Sequence, residues 1–323
     1  MNQLFTAICV SIITLCMAEL NFLVLGDWGG LPLYPYTTEI EEKTSKQMAD
    51  VAARVNARFV VALGDNFYYD GVKNVEDARF KETYSEVFDE KSLQVPWYVI
   101  AGNHDHHGNV SAEIAYSSRS SVWTYPYYWH SQKFVIADTN KTLKLVLLDT
   151  IVLCGNAGSD DELLQPKGPE DKSFAEKQWM WLEEQLKYSQ DDYLLVGGHF
   201  PVWSIAEHGP TDCLVDRLKP LLEKYKASSY ICGHDHNLQH IKEQDSDVHY
   251  FVIGAANFVK DDVRHKHSVP DDSLKFYWAD ARRYGGFAHV KATADYLNVT
   301  LIDSLGDLLH SQMIKPRNVG AQL

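Results

Sequence analysis

Residues 58–68 read RFVVALGDNFY: an apolar, β-rich run that stops on Gly64 and then presents Asp65, Asn66 and, three residues past the aspartate, Tyr68. A continuous apolar run of this length suits a strand covered on both faces. The same design recurs in NFLVLGD (21–27), VPWYVIAGN (95–103), KLVLLD (144–149), YLLVGGH (193–199), SSYICGH (228–234) and VHYFVIGAA (248–256). Helical spacing fills several of the gaps. Residues 39–56 put Met48, Val51, Ala52 and Val55 on one stripe. Residues 173–188 carry Phe174, Trp179, Trp181, Leu182 and Leu186 among charges. Residues 211–226 open on Thr211-Asp212, a suitable cap, and carry Leu214, Leu218, Leu221 and Leu222. Alternating strands and helices predict an α/β architecture. The tail differs: 286–293, 296–303 and 307–314 read as consecutive antiparallel strands.

Five strand ends finish in residue types that bind metals. They are Gly26-Asp27-Trp28-Gly29-Gly30, Gly64-Asp65-Asn66-Phe67-Tyr68, Gly102-Asn103-His104-Asp105, Gly198-His199-Phe200-Pro201 and Gly233-His234-Asp235-His236. In open α/β sheets, functional groups gather beyond the carboxyl ends of strands. The glycine before each candidate is expected to let the backbone turn sharply. Taken singly, a Gly-Asp pair is usually only a turn, and a lone His-x-His is usually surface polarity. Five such ends in order, each behind an apolar run, are poorly explained as independent turns.

The order GD…GD…GN-H-D…GH…GH-x-H resembles the metallophosphoesterases, and the tyrosine three residues after the second aspartate resembles the purple acid phosphatases. GDWGG, GDNFY, GNHDHHGNVSAEIAYS, GHFPVWSIAEHGPT and GHDHNLQH together resemble their small, mammalian-type, tartrate-resistant (type 5) group, over nearly the whole of residues 19–323. The resemblance implies a four-layer sandwich: two mixed β-sheets flanked by helices, with a dinuclear metal site at strand C-terminal ends. It implies Fe(III) held by Asp27, Tyr68, His236 and a bridging Asp65, and Fe(II) or Zn(II) held by Asp65, Asn103, His199 and His234. A phenolate suits hard ferric ion, and imidazole suits a borderline divalent ion. Tyr69 is expected to serve as packing.

The reaction implied is hydrolysis of phosphate monoesters, on small molecules or phosphoproteins, by an iron-activated hydroxide. His104 and His208 are the candidates to protonate the leaving group, with Glu207 beside them, because imidazole is largely protonated at pH 5–6. His106 and His107 are expected to be solvated loop residues. Two other readings stay open. One is a related dimetal phosphodiesterase or nucleotide hydrolase, against which Tyr68 argues. The other is a non-catalytic secreted iron-binding protein, against which the full ligand set argues.

The formal net charge of −14 disfavours nucleic-acid or anionic-membrane binding through the general surface field. Residues 1–18, MNQLFTAICVSIITLCMA, are apolar, too short to span a membrane comfortably, and end on small residues around Cys16 and Ala18. They read as a cleaved secretory signal, the alternative being a buried first strand or helix. Residues 19–323 then form one catalytic domain, secreted or lysosomal, and expected to be monomeric. Three cysteines remain, and sequence permits three pairings. Cys232 sits in an apolar run, whereas Cys154 and Cys213 sit in polar surroundings, so those two are paired. Asn109, Asn140 and Asn298 head glycosylation sequons. Residues 155–173, GNAGSDDELLQPKGPEDKS, form a long acidic loop. In the group resembled, this segment lies over the active site and represses it until cut. Here Lys167 and Lys172 are its only basic residues, and they form no dibasic pair.

Overall fold

The computed structural model of the chain describes residues 19–156 and 165–318. The expected signal at 1–18 and the middle of the acidic loop lie outside the described residues. The chain first lays down β1 (Leu20–Leu25), β2 (Val60–Ala62), β3 (Trp97–Val99) and β4 (Trp123–Thr124), paired in parallel. It then builds a second sheet from β5 (His130–Val135), β6 (Thr142–Leu147), β7 (Tyr193–Gly197), β8 (Ser229–Cys232), β9 (Leu238–Ile241), β10 (His249–Ile253) and β11 (Leu274–Trp278). It returns to the first sheet with β12 (Gly286–Ala292), β13 (Leu297–Asp303) and β14 (Leu308–Ile314). The sheet orders are β14-β13-β12-β1-β2-β3-β4 and β11-β9-β10-β8-β7-β6-β5. All seven apolar runs are strands, and the tail is the antiparallel meander expected, with β12 pairing antiparallel to β1. The edge strands β4, β5 and β11, and β9 next to β11, carry no such run and escaped the sequence pattern.

Side-chain alternation explains the layering. Phe22 and Val24 face the second sheet, in one core with Leu143, Leu145, Leu195, Phe251 and Val299. Leu23 and Leu25 face the other way, against Met48 and Val51 of α1 (Glu39–Val55). Beyond the second sheet, Val146, Leu194 and Val196 pack on Trp179 and Leu182, and on Leu214 and Leu218. Those residues come from α4 (Lys172–Lys187) and α5 (Asp212–Lys224), which follow the short α2 (Val110–Tyr116) and α3 (Thr150–Cys154). Helix, sheet, sheet and helix make the four layers expected; the central strands β1, β2, β7, β8 and β10 are buried on both faces, whereas β5, β11 and β14 at the sheet edges are partly exposed.

Helix ends follow side-chain chemistry. Thr38 Oγ1 accepts from the Glu41 N–H at 3.1 Å, and Asn56 closes α1 in the left-handed region at φ 53°. Thr211 precedes α5 as expected, but its side chain makes no capping bond. The acidic loop ends earlier than its composition suggests: Asp171 caps α4, whose first residues are Lys172 and Ser173. Cys154 and Cys213 form the disulfide, joining α3 to α5 with Cα atoms 5.8 Å apart, while Cys232 is free and buried in β8. Among the described residues, no helix is long and apolar enough to cross a membrane.

Candidate metal centre

Both sheets deliver side chains to one point. Asp27 follows β1, Asp65 follows β2 and Asn103 follows β3, while His199 follows β7 and His234 and His236 follow β8. The ligand residues themselves make the sharp turns: Asp27, Asp65 and His234 take φ of 58°, 52° and 72°. Side chains rarely accept that region, and it clusters at functional sites. Of the glycines preceding the candidates, only Gly64 has positive φ. The others are needed for proximity. A Cβ on Gly102 would lie 2.2 Å from Asp65 Oδ1, and one on Gly233 would lie 2.2 Å from Asp27 Oδ2.

Asp27, Asp65 and His236 bring one donor atom each within 4.8 Å of one another. Tyr68 Oη donates to Asp27 Oδ1 at 3.2 Å and sits 3.0 Å from His236 Nε2. Asn103 Oδ1 lies 2.9 Å from His199 Nε2, which is 3.4 Å from Asp65 Oδ1. The His234 ring centre is 5.1 Å from that of His199. All seven expected ligands are therefore neighbours, with Asp65 between two groups of them.

The donor chemistry calls for a cation. His199 Nδ1 lies 2.9 Å from the Leu63 carbonyl, which can only accept, so Nδ1 carries the proton. The other ring nitrogen, Nε2, faces Asn103 Oδ1 and Asp65 Oδ1. One ring nitrogen and two oxygens, atoms of the kind that hold metals, converge there. Burial, and after it the charge of Asp65, push the Asp27 carboxyl well above its ordinary range. Burial, then Asp27 and Asp65, do the same to the Tyr68 phenol. Burial and neighbouring imidazoles hold His234 neutral, as a metal ligand must be. The protein alone ionises neither Asp27 nor Tyr68 comfortably; a metal ion would reverse that balance.

Two supporting residues, Asp105 and Arg79, are not among the expected site residues. The Asp105 carboxylate accepts from the N–H groups of Gly102 (2.7 Å), Asn66 (3.0 Å) and Phe67 (3.1 Å), tying the β2 and β3 loops together. Burial and Asp65 push Asp105 up to about 7. Its position in the GNHD run was a usable signal. Arg79 had none. Its buried guanidinium donates to the carbonyls of Gly29 and Tyr68, and its Nε donates to Thr83 Oγ1 at 3.2 Å.

The residues expected around the substrate flank the centre. His104 Nε2 lies 4.0 Å from Asp65 Oδ2, and its Nδ1 is 2.8 Å from the Tyr69 carbonyl. Burial opposes its charge, but Asp65 and the Tyr69 carbonyl outweigh burial, and its pKa rises. The His208 ring stacks on His234 at 3.9 Å. Glu207 is held by Lys260 at 2.5 Å and more loosely by Arg264 at 3.9 Å. Two expectations fail. His106 is not solvated: its Nε2 contacts Asp149 Oδ2 at 2.8 Å, an ion pair linking the β3 loop to the start of α3. Tyr69 is not packing: the segment after Asp65 is a turn, and Tyr69 stands 45% exposed while Tyr68 is fully buried. His107 is exposed, as expected. The described flanks of the acidic loop are anchored beside the centre: Asn156 Nδ2 donates to the Asn103 carbonyl at 3.1 Å, and Gln165 Nε2 donates to the Pro210 carbonyl at 2.8 Å. Among the sequons, Asn109 and Asn140 are exposed, whereas Asn298 is half-buried on β13.

The chain is similar to known proteins over most of its length. The calcineurin-like phosphoesterase family matches residues 20–238. Tartrate-resistant acid phosphatase type 5 of Homo sapiens is 46% identical over 300 residues, 92% of this chain and 91% of that protein. Purple acid phosphatase 4 of Arabidopsis thaliana is 32% identical over 295 residues, 90% of this chain and 82% of that protein. Among solved structures, GAP50, the anchor in the inner membrane complex of Plasmodium, shares the fold. It has a TM-score of 0.78 at 23% identity, covering 93% of this chain and 90% of that one.

Proposed function

The chain belongs to the calcineurin-like phosphoesterases, in their purple acid phosphatase branch, and from that membership we propose that it hydrolyses phosphate monoesters at a pair of metal ions. Asp27, Tyr68, His236 and a shared Asp65 would hold Fe(III); Asp65, Asn103, His199 and His234 would hold Fe(II) or Zn(II). The observation that supports this most directly is the convergence of His199 Nε2, Asn103 Oδ1 and Asp65 Oδ1 beside the group formed by Asp27, Asp65 and His236. Oxygen-rich donors around Tyr68 suit a hard trivalent ion, and the two imidazoles of the other group suit a softer divalent one. When bound, such a pair neutralises the phosphoryl oxygens and supplies an activated water.

The chain's own groups divide the remaining work. Asp65 has two oxygens and can be shared between the groups it separates. His104 stands on the Asp65 side and His208 on the His234 side, so each can hand a proton to a leaving oxygen between them. Glu207 is clamped by Lys260 and Arg264, which fits orientation of His208, its neighbour in the chain, better than direct proton transfer. The acidic loop, anchored at Asn103 and Pro210, would restrict access to the site. Removing residues 157–164 should then raise kcat/KM. The secretory reading of residues 1–18 and the disulfide fit a secreted or lysosomal protein, with glycans at the sequons.

The test is hydrolysis of p-nitrophenyl phosphate at pH 5 together with metal analysis and a visible spectrum. Two metals per chain, a phenolate–iron band and turnover support the proposal. Two metals with no turnover would leave the non-catalytic iron-binding reading, and turnover confined to diesters would leave the phosphodiesterase reading.

A further inference from the structure

Asn103 and His199 leave strands of different sheets, yet Asn103 Oδ1 and His199 Nε2 meet at 2.9 Å. The start of α3 touches both of their loops. On one side, His106 Nε2 contacts Asp149 Oδ2 at 2.8 Å, and the His106 N–H donates back to the carbonyl of Gly102, one residue before Asn103, at 3.3 Å. On the other side, Thr150 Oγ1 accepts from the N–H of Phe200, one residue after His199, at 3.0 Å. The Phe200 ring centre in turn lies 4.6 Å from that of His234, a third candidate ligand of the same ion. Asn103 and His199 are thus joined by a path that runs His106, Asp149, Thr150, Phe200.

The middle of that path is rigidly held. Asp149 is fully buried, and its Oδ1 caps α3 by accepting from the Val152 N–H at 2.9 Å. Its main chain exchanges two further bonds of 2.9 Å with the buried side chain of Gln178 on α4. Burial opposes a charge on His106, but Asp149 outweighs burial and raises its pKa, so the contact is charge-assisted. The segment after α3 reaches the β3 loop again, through Asn156 Nδ2 and the Asn103 carbonyl at 3.1 Å. The candidate ferric group takes its support from other residues: Asp105 binds the N–H groups of Asn66 and Phe67, and Arg79 binds the carbonyls of Gly29 and Tyr68.

We infer that His106, Asp149 and Thr150 are positioning residues that fix the separation of Asn103 and His199 and thereby set how tightly the divalent ion is held. The inference rests on the assignment of Asn103, His199 and His234 to one divalent ion and adds to it the part of the chain that keeps those ligands in register. A site whose donors are already placed loses nothing to ordering them when the ion enters. Releasing the β3 loop from α3 lets Asn103 drift, and the ion then loses an oxygen donor. Releasing Phe200 does the same to His199 and removes a wall behind His234. Asp27, Tyr68 and His236 lie on the loops after β1, β2 and β8, so their hold on the ferric ion is expected to survive either change.

Metal release separates positioning from general stability. The full chain is loaded with Fe(III) and Zn(II), and zinc loss to a chelator is followed beside iron content and the phenolate–iron band. His106→Leu should speed zinc loss by about tenfold, the low end of what outer partners of metal ligands usually contribute. Thr150→Val, which keeps the volume and removes the acceptor for the Phe200 N–H, should speed it as well. His106→Gln keeps an N–H for Asp149 and should recover most of the parent's hold. Iron content and the band should stay unchanged in all three. Thr150→Val leaves the Asp149 contact with His106 in place, so it decides the matter if His106→Leu fails to fold. Zinc loss at the parent's rate in the folded variants overturns the inference. So does loss of iron in step with zinc, which reports a loosened fold and not displaced ligands. A parent chain that takes up iron but no zinc or Fe(II) overturns the ligand assignment itself.

Discussion

The phenol of Tyr68 donates to Asp27 Oδ1 across 3.2 Å, joining the loops that leave β2 and β1 inside a fully buried site. Burial and two carboxylates keep that phenol protonated in the protein alone. A bound ferric ion would displace the proton and create a charge-transfer band. Tyr68→Phe should therefore abolish the visible band and weaken iron binding at that position, with the second metal retained. Tyr69→Phe should keep the band. Metal analysis and absorption spectra of the two variants check this, and a band lost in Tyr69→Phe alone would reverse the assignment.

Arg79 should act through the same loops. Its guanidinium binds the carbonyls of Gly29 and Tyr68, and its charge partly opposes the burial that pushes the Glu41 carboxyl well above its ordinary range. Both oxygens of that buried Glu41 lack hydrogen-bond partners among the described residues. Arg79→Met strands two carbonyls in the interior. A loss of about 2–6 kcal/mol is expected from two buried acceptors left unpaired, at about 1–3 kcal/mol each. Denaturant unfolding measures it. Arg79→Lys should recover part of the stability, and the maximum of the Tyr68–iron band should move in both variants.

A chain of imidazoles sets an acid limit on stability. His240 on β9 bonds His249 on β10 and His310 on β14, each at 2.9 Å, so the chain crosses from the second sheet to the first. Burial, then His249 and His310, lower His240 to about 3; burial, then Lys242, lowers His249 to about 4. These folded values lie below the ordinary imidazole value. Between that value and the folded pKa the unfolded chain binds more protons, so stability is fully kept above about pH 6.5 and lost as pH falls toward 3–4. Each residue contributes a slope of up to about 1.4 kcal/mol per pH unit. Tm measured from pH 7 to pH 4 should fall, and His240→Gln should flatten the decline. A Tm profile identical in the variant would sink this account.

His104 and His208 should separate chemistry from metal binding. Neither is among the expected ligands, and they stand beside Asp65 and His234. Alanine at either position should leave metal content and colour in place. Activity should fall by roughly 10²–10⁴. The loss should be larger on alkyl phosphates than on p-nitrophenyl phosphate, whose leaving group hardly needs a proton. Equal losses on both would assign the residue to phosphate binding.

The seven apolar runs, the five strand ends and the seven ligand candidates were legible in the sequence because each is a local pattern: a buried strand, a break, and a polar side chain released at its end. The pairing of Cys154 with Cys213 was legible for a related reason, since Cys232 sits inside an apolar run. What only tertiary structure decided depends on residues far apart in the chain. Tyr69 and Phe258 meet because the β10 segment folds back over the β2 loop. His106 finds Asp149 across two sheets. Arg79 reaches Gly29 from a stretch with no periodicity. The glycines before the ligands were visible too, but their reason was not. Gly102 and Gly233 are required less for how the backbone turns than for the carboxylate of another loop, which occupies the space a Cβ would need.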